Sequence, residues 1–352
     1  MSDAELRDEL RAVARDLLGS SRTDAGAPAT PGWPALADAG WLGLEVTEDL
    51  GGSGATFAET AVVIEELARS AARTPFLGAV ALGVGLLDLL EPSDVRDGLL
   101  RMVAAGEVRV AVAVRSDEGF DPAFAVTGSH VTGRAEFVAD AGQATRLLLV
   151  AKDEEETPVV VRVAAEELAI TAQPVLDETR RFATVAADAV PVDPASVLRF
   201  QGDPFTALRR MRSRAAVAIA ADALGVAEAM LAATVAYAKV RHQFDRAIGS
   251  FQAVKHQCAD MLVAVTVGRE LLDAAVDALV ADDSDAPRAA ARAKAYLGDA
   301  AVDVAGKAMQ LHGGIGYTWE SGVHLYLKRA MLDRALFGSP TTHRRRLAQR
   351  WI

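Results

Sequence analysis

The sequence holds a single cysteine, Cys258, in 352 residues. No internal disulfide is possible, and a reducing, cytoplasmic setting is the simplest expectation. Aromatic residues make up only 5% of the chain. With Ala and Leu abundant, that scarcity favours helix over sheet. No uninterrupted apolar run reaches the roughly 18 residues of a membrane span, so no membrane association is expected. Met1 to Arg15 alternates charged with apolar residues and lacks the hydrophobic stretch of a signal peptide. Positive charge is also short: 37 Lys and Arg stand against 48 Asp and Glu, a net charge of −11. A nucleic-acid partner is therefore not expected. The densest basic run, His343-Arg344-Arg345-Arg346, reads as a solvated last helical turn favoured by the helix dipole.

Half of the residues are apolar, enough for a sizeable core, and the length suits roughly two or three domains. Three zones separate along the chain. Residues 1–106 read as a helical domain. Leu6, Leu10, Val13, Leu17 and Leu18 share one helical face. Trp33, between Pro31 and Pro34, begins a short helix. Gly43 to Gly54 is a loop, and Thr56 with Glu59 forms a capping box for a helix reaching about Ala71. Residues 107–200 read as a small antiparallel β domain, with strand-like runs at 108–114, 147–150 and 159–163. Residues 201–352 read as a helical bundle with long periodic segments at about 204–240, 251–281 and 286–311. Asp282 to Asp285 forms a polar loop that caps the third of these.

Two segments carry chemistry. The first runs from Tyr237 to His256. A helix ends near Arg241, a polar turn follows, and a second helix begins near Ser250. Arg241 offers a planar donor fork suited to a diphosphate. Gln243 and Gln252 add amides. The second segment is Gln310-Leu311-His312-Gly313-Gly314-Ile315-Gly316-Tyr317-Thr318-Trp319-Glu320. Its glycines let backbone approach a ligand and cradle phosphate. By itself the turn reads first as a C-cap and tight helix connection. No strand precedes it, so it is not a Rossmann fingerprint.

Together the segments resemble the acyl-CoA dehydrogenase superfamily. Its members show Y-x-x-x-R-x-Q-F-G-x-x-I-x-x-F-Q and, some sixty residues on, Q-x-x-G-G-x-G-Y/F-x-x-E. Trp41-Leu42-Gly43-Leu44 and Asp49-Leu50-Gly51-Gly52-Ser53-Gly54 resemble the family's early G-x-x-x-P-E-x-x-G-G-x-G stretch. The resemblance implies a mainly α fold with N-terminal helices, a middle β domain and a C-terminal four-helix bundle. It implies FAD as cofactor, acyl-CoA as substrate and an electron-transfer flavoprotein-type acceptor. Arg241, Gln243, Phe244, Phe251 and Gln252 would contact FAD. Gln310, Gly313 and Gly314 would reach its diphosphate and adenine side. In the family these groups serve a neighbouring subunit's flavin, which implies at least a dimer.

The chain also departs from the family. A carboxylate normally removes the substrate α-proton. One usual position is a Y-E-G-T turn; here it reads Leu336-Phe337-Gly338-Ser339. The other is about ten residues before Leu224-Gly225, where Ala215 stands. Asp222, two helical turns after Ala215, is the alternative base, or else a helix residue paired with a neighbouring Arg. Asp245 stands where the family has Gly. The family's T-E-P-x-A-G-S-D stretch is replaced by Val112-Ala113-Val114-Arg115-Ser116-Asp117-Glu118-Gly119. Val131 to Val138 resembles the family's L-N-G-x-K-x-F-I-T without its Asn. The pattern resembles the short actinobacterial-type subunits of heteromeric acyl-CoA dehydrogenases acting on bulky thioesters such as those of steroid side chains. The resemblance thus implies a homo- or hetero-oligomer in which another acyl-CoA dehydrogenase subunit carries the base. Two other readings remain open: a non-catalytic structural or regulatory subunit, and a flavin oxidase or hydroxylase.

Overall fold

A computed structural model describes residues 3–21, 27–115 and 120–349. Residues 116–119, the second half of the segment compared above with T-E-P-x-A-G-S-D, lie outside the described residues. The order is helices, strands, helices, as the fold class requires. The first helices are α1 (Asp3–Ser20), α2 (Trp33–Asp38), α3 (Phe57–Arg69), a π-helix (Leu77–Val84) running into α4 (Gly85–Asp88), and α5 (Asp94–Ala104). Strands follow: β1 (Val110–Ala113), β2 (Phe124–Thr127), β3 (His130–Ala139), β4 (Arg146–Lys152), β5 (Pro158–Ala164), β6 (Ala169–Gln173), β7 (Phe182–Pro191) and β8 (Val197–Leu198). Then come α6 (Pro204–Val240), a ribbon of β9 (His242–Gln243) and β10 (Arg246–Ala247), α7 (Gln252–Val280), α8 (Ala286–His312), α9 (Val323–Ala335) and α10 (Pro340–Ala348).

These elements form two compact units of discontinuous chain. A helical unit comprises Met1–Pro31, Ala61–Arg73 and Ile219–Ile352; a sheet unit comprises Gly32–Thr60 and Thr74–Ala218.

In the sheet unit the strand order is β6-β7-β3-β2-β4-β5-β8, with β1 also on β4. β4 and β5 are buried on both faces and read as continuous Val/Leu runs. β2 alternates buried and exposed residues. Most pairings are antiparallel, as expected, but β1 and β2 both run parallel to β4. They are successive pieces of one edge: Val110 to Ala113 lie along Arg146 to Leu149, and Phe124 and Ala125 along Ala151 and Lys152. Thr56 caps α3 as expected: Glu59 Oε2 accepts from Thr56 N at 3.0 Å, the Glu half of the capping box, and Thr56 Oγ1 accepts from Ala58 N at 3.2 Å.

In the helical unit α1 is rotated from the expected face. Ala14 and Leu18 are buried, while Leu6 and Val13 are exposed. Arg15 is bidentate with Glu66 at 3.0 and 2.8 Å. Inside the unit Arg269 of α7 bridges Glu65 of α3 at 2.8 Å and Glu228 of α6 at 2.7 Å. Burial pushes the Glu65 carboxyl up to about 7, against the pull of Arg269. α6 packs tightly on α3: a Cβ at Gly225 would lie 2.2 Å from the Glu65 carbonyl oxygen, so only Gly allows the approach. Two sequence expectations are corrected. Asp285 makes no side-chain cap at α8; the acid that acts is Asp283, accepting from Asp285 N at 2.8 Å within the loop. His343 is not solvated but buried, bonded through Nε2 to the Phe337 carbonyl at 3.0 Å.

Candidate functional site

α6 keeps its helical bonds to Arg241, whose N–H donates to the Tyr237 carbonyl at 2.9 Å. The chain then reverses through a two-residue hairpin. Arg246 pairs with Gln243 and Ala247 with His242, and Ile248 N donates to the Arg241 carbonyl at 2.8 Å. The turn residues Phe244 and Asp245 have φ of 53° and 60°. Such a tight hairpin requires positive φ at both positions. That conformation is why Gly suits position 245, and Asp is among the side chains that tolerate it best. α7 starts at Gln252 without a side-chain cap, so its first N–H groups are available to an anion.

The second segment meets the first at this end of the bundle, because α8 returns antiparallel to α7. His312, the last residue of α8, stacks on Tyr237 with ring centroids 4.5 Å apart. Its Nδ1 lies 2.7 Å from the Ala308 carbonyl. Gly313 then takes φ 63°, ψ −143°, a combination only Gly adopts readily. A Cβ on Gly313 or Gly314 would meet nothing within 4 Å. The backbone is bare on its outer side.

The structure therefore gathers Arg241, Gln243, Phe244, Phe251, Gln252, Gln310, Gly313 and Gly314 at one end of the helical unit. All are exposed except Phe251, which is partly buried. Phe244 is 85% exposed, and Val240, Ile315, Tyr317 and Trp319 are also exposed nearby in sequence. Large exposed apolar side chains in such number are unusual for a fully solvated surface. Arg241 and Arg246 have no carboxylate partner among the described residues. Two guanidiniums without counter-ions, a helix N-terminus without a cap and a bare glycine turn fit the diphosphate of a dinucleotide.

The candidate base positions differ. Ala215 is fully buried in the sheet unit. Its neighbour Arg214 is bidentate with Glu45 at 2.6 and 2.7 Å and donates to the Ala81 carbonyl of the π-helix at 2.6 Å. Phe337 is buried with φ 53° in the turn before α10. Asp222 is 1% exposed. Both of its oxygens accept from Arg329 at 2.7 Å, and Arg329 also donates to the Ala72 carbonyl at 3.0 Å. That geometry corresponds to the paired helix residue, not to a base facing substrate. Three features escaped the sequence reading: Arg246, the Tyr237–His312 stack and the buried Lys294 behind the Phe337 turn. Arg246 lay inside the first segment, but only the ladder register shows which face it takes.

Family models match the acyl-CoA dehydrogenase N-terminal domain over residues 2–107 and the acyl-CoA dehydrogenase C-terminal domain over residues 205–352. The chain is similar to acyl-CoA dehydrogenase IpdE2 of Mycobacterium tuberculosis. The two are 34% identical over 312 residues, 88% of this chain and 82% of that protein. Among solved structures it is similar to the Tcur3481-Tcur3483 steroid ACAD G363A variant, with 27% identity and a TM-score of 0.85 over 98% of this chain and 97% of that one. It is also similar to the ChsE4-ChsE5 complex from Mycobacterium tuberculosis, with 26% identity and a TM-score of 0.88 over 100% of this chain and 98% of that one.

Proposed function

Because the chain belongs to the acyl-CoA dehydrogenase family, we propose that it is one subunit of a FAD-dependent enzyme that introduces an α,β double bond into an acyl-CoA thioester, with its active site completed by another acyl-CoA dehydrogenase subunit. One observation carries the reading. The outward-facing donor surface around Arg241 is intact, while Ala215 and Phe337 leave both usual base positions without a carboxylate. FAD, when bound, supplies the acceptor for the hydride from the substrate β-carbon. Arg241 holds the diphosphate by charge-assisted hydrogen bonds. Gln243 and Gln252 add amide donors, and the Gly313–Gly314 backbone approaches from the second segment. Phe244, at the hairpin tip, excludes water from that contact. The α-proton would be taken by a carboxylate of the partner subunit, and an electron-transfer flavoprotein-type acceptor would receive the electrons. The likeness to a steroid ACAD supports a bulky, steroid-derived acyl group as substrate.

An absorbance spectrum tests this reading. The chain co-purified with a base-carrying partner is expected to show flavin bands that bleach on adding acyl-CoA. The chain alone is expected not to bleach, since a missing general base costs about 10²- to 10⁴-fold in rate. Bleaching by the chain alone would refute the shared site. Absence of flavin in both samples would favour a purely structural subunit, and oxygen consumption without an added acceptor would point to an oxidase or hydroxylase.

Asp245 gives a second expectation. It places a negative charge at the hairpin tip. Asp245→Gly keeps positive φ without strain and removes that charge, so FAD should bind roughly three- to tenfold more tightly in the complex. Equilibrium titration with FAD checks it; unchanged or weaker binding would mean that the tip does not face the diphosphate.

A further inference from the structure

The β9–β10 ribbon assigns a face to each of its side chains. Directly opposed residues in an antiparallel pair project to the same side, and residues two apart on one strand do so as well. Arg246 opposes Gln243. The bond from Ile248 N to the Arg241 carbonyl closes the base of the ribbon where α6 ends. His242 and Ala247 form the other pair and face the opposite way. Gln243, two residues after Arg241, and Arg246 therefore share one face of the ribbon.

Arg246 is also held in place. Its guanidinium carbon sits 4.0 Å from the centroid of the Phe251 ring. Phe251 is fixed in turn by an edge contact with Phe244, ring centroids 6.1 Å apart. Stacking on an aromatic face orients the planar guanidinium and leaves its edge N–H donors free. A long exposed Arg normally loses considerable side-chain entropy on meeting an anion. Here part of that ordering is already present. Arg246 has no carboxylate partner among the described residues. The nearest acid in sequence, Asp245, occupies the turn itself.

We infer that Arg246 is a second diphosphate-binding cation in addition to Arg241, latched on Phe251 and sharing a ribbon face with Gln243. The inference rests on the proposed flavin-donating role of this surface. The ligand chemistry is the diphosphate of an adenosine 5′-diphosphate ester. FAD and CoA both contain one, and the shared face with Gln243 favours FAD.

The test uses the flavin-binding oligomer of the full chain, stripped of flavin and titrated with FAD, riboflavin and CoA. Arg246→Ala is expected to weaken FAD by about ten- to a hundredfold, the range of one charge-assisted contact. Riboflavin, which lacks the diphosphate, should bind unchanged. Arg246→Lys should lose less than Arg246→Ala, and Phe251→Leu should give an intermediate loss by releasing the latch. Equal losses for FAD and riboflavin would reduce Arg246 to hairpin stability and overturn the inference. So would a loss confined to CoA. Arg241→Ala separates the two levels of the argument. If it weakens FAD while Arg246→Ala does not, only the role of Arg246 fails. If neither matters, the flavin-donating surface fails with it.

Discussion

Asp222→Asn is expected to destabilise the protein by about 3–5 kcal/mol, the usual consequence of breaking a buried, hydrogen-bonded ion pair. Asp222 and Arg329 are 1% and 2% exposed. Their two bonds at 2.7 Å join α6 to α9 inside the helical unit, and the third Arg329 donor holds the Ala72 carbonyl after α3. An Asn amide offers one acceptor and turns an N–H₂ group toward the guanidinium, leaving a buried charge without its counter-ion. Arg329→Met should cost a similar amount for the mirror reason. Joining Asp222→Leu with Arg329→Met in one chain should lose much less than the two single changes add up to, because neither charge is then stranded. Urea denaturation of wild type, Asp222→Leu, Arg329→Met and the double variant measures the coupling. A base would behave differently: Asp222→Asn would leave the midpoint near wild type while flavin reduction by acyl-CoA collapsed in the complex. That result would return Asp222 to the catalytic machinery.

Much of the architecture is legible in the sequence because it is periodic. The segments expected at 204–240, 251–281 and 286–311 are α6, α7 and α8 to within a residue at either end. Polar breaks at Arg241–Asp245 and Asp282–Asp285 separate them. The strand-like runs at 147–150 and 159–163 lie within β4 and β5. What the sequence conceals is mostly non-local. Nothing near Asp222 announces Arg329, more than a hundred residues away. Leu77–Val84 is buried at every position, so it has no period to read. Its Ala81 carbonyl accepts from Arg214, far away in sequence. At the candidate site, the residue types of Arg241, Gln243, Gln252 and the glycine turn are visible as a pattern. The pairing that puts Arg246 beside Gln243 depends on a two-residue turn whose second position departs from Gly. Only the φ of Asp245 shows that the turn geometry survives the substitution.

Lys294→Met is expected to cost about 3 kcal/mol and to loosen the turn that carries Phe337. Lys294 is fully buried. Its ammonium donates to the carbonyls of Asp333 at 2.8 Å, Arg334 at 3.3 Å and Gly338 at 3.1 Å. It thus caps the C-terminus of α9 from a neighbouring helix and ties down the turn that follows. Met fills the volume of the aliphatic stem but leaves these buried carbonyls without that donor. The pH dependence has a definite sign. Burial holds the Lys294 ammonium down to about 8, from its ordinary value of 10.5. Between about 8 and 10.5 the folded chain therefore binds fewer protons than the unfolded one. This group's contribution to stability is complete above the unfolded value and is lost as pH falls through about 8. Wild type should gain stability relative to Lys294→Met as pH rises through that window, and the difference between their urea midpoints at pH 7.5 and pH 10 reads it. A difference that stays constant would mean that Lys294 titrates in the folded chain as it does in the unfolded one, and that the three carbonyls hold its proton against the burial.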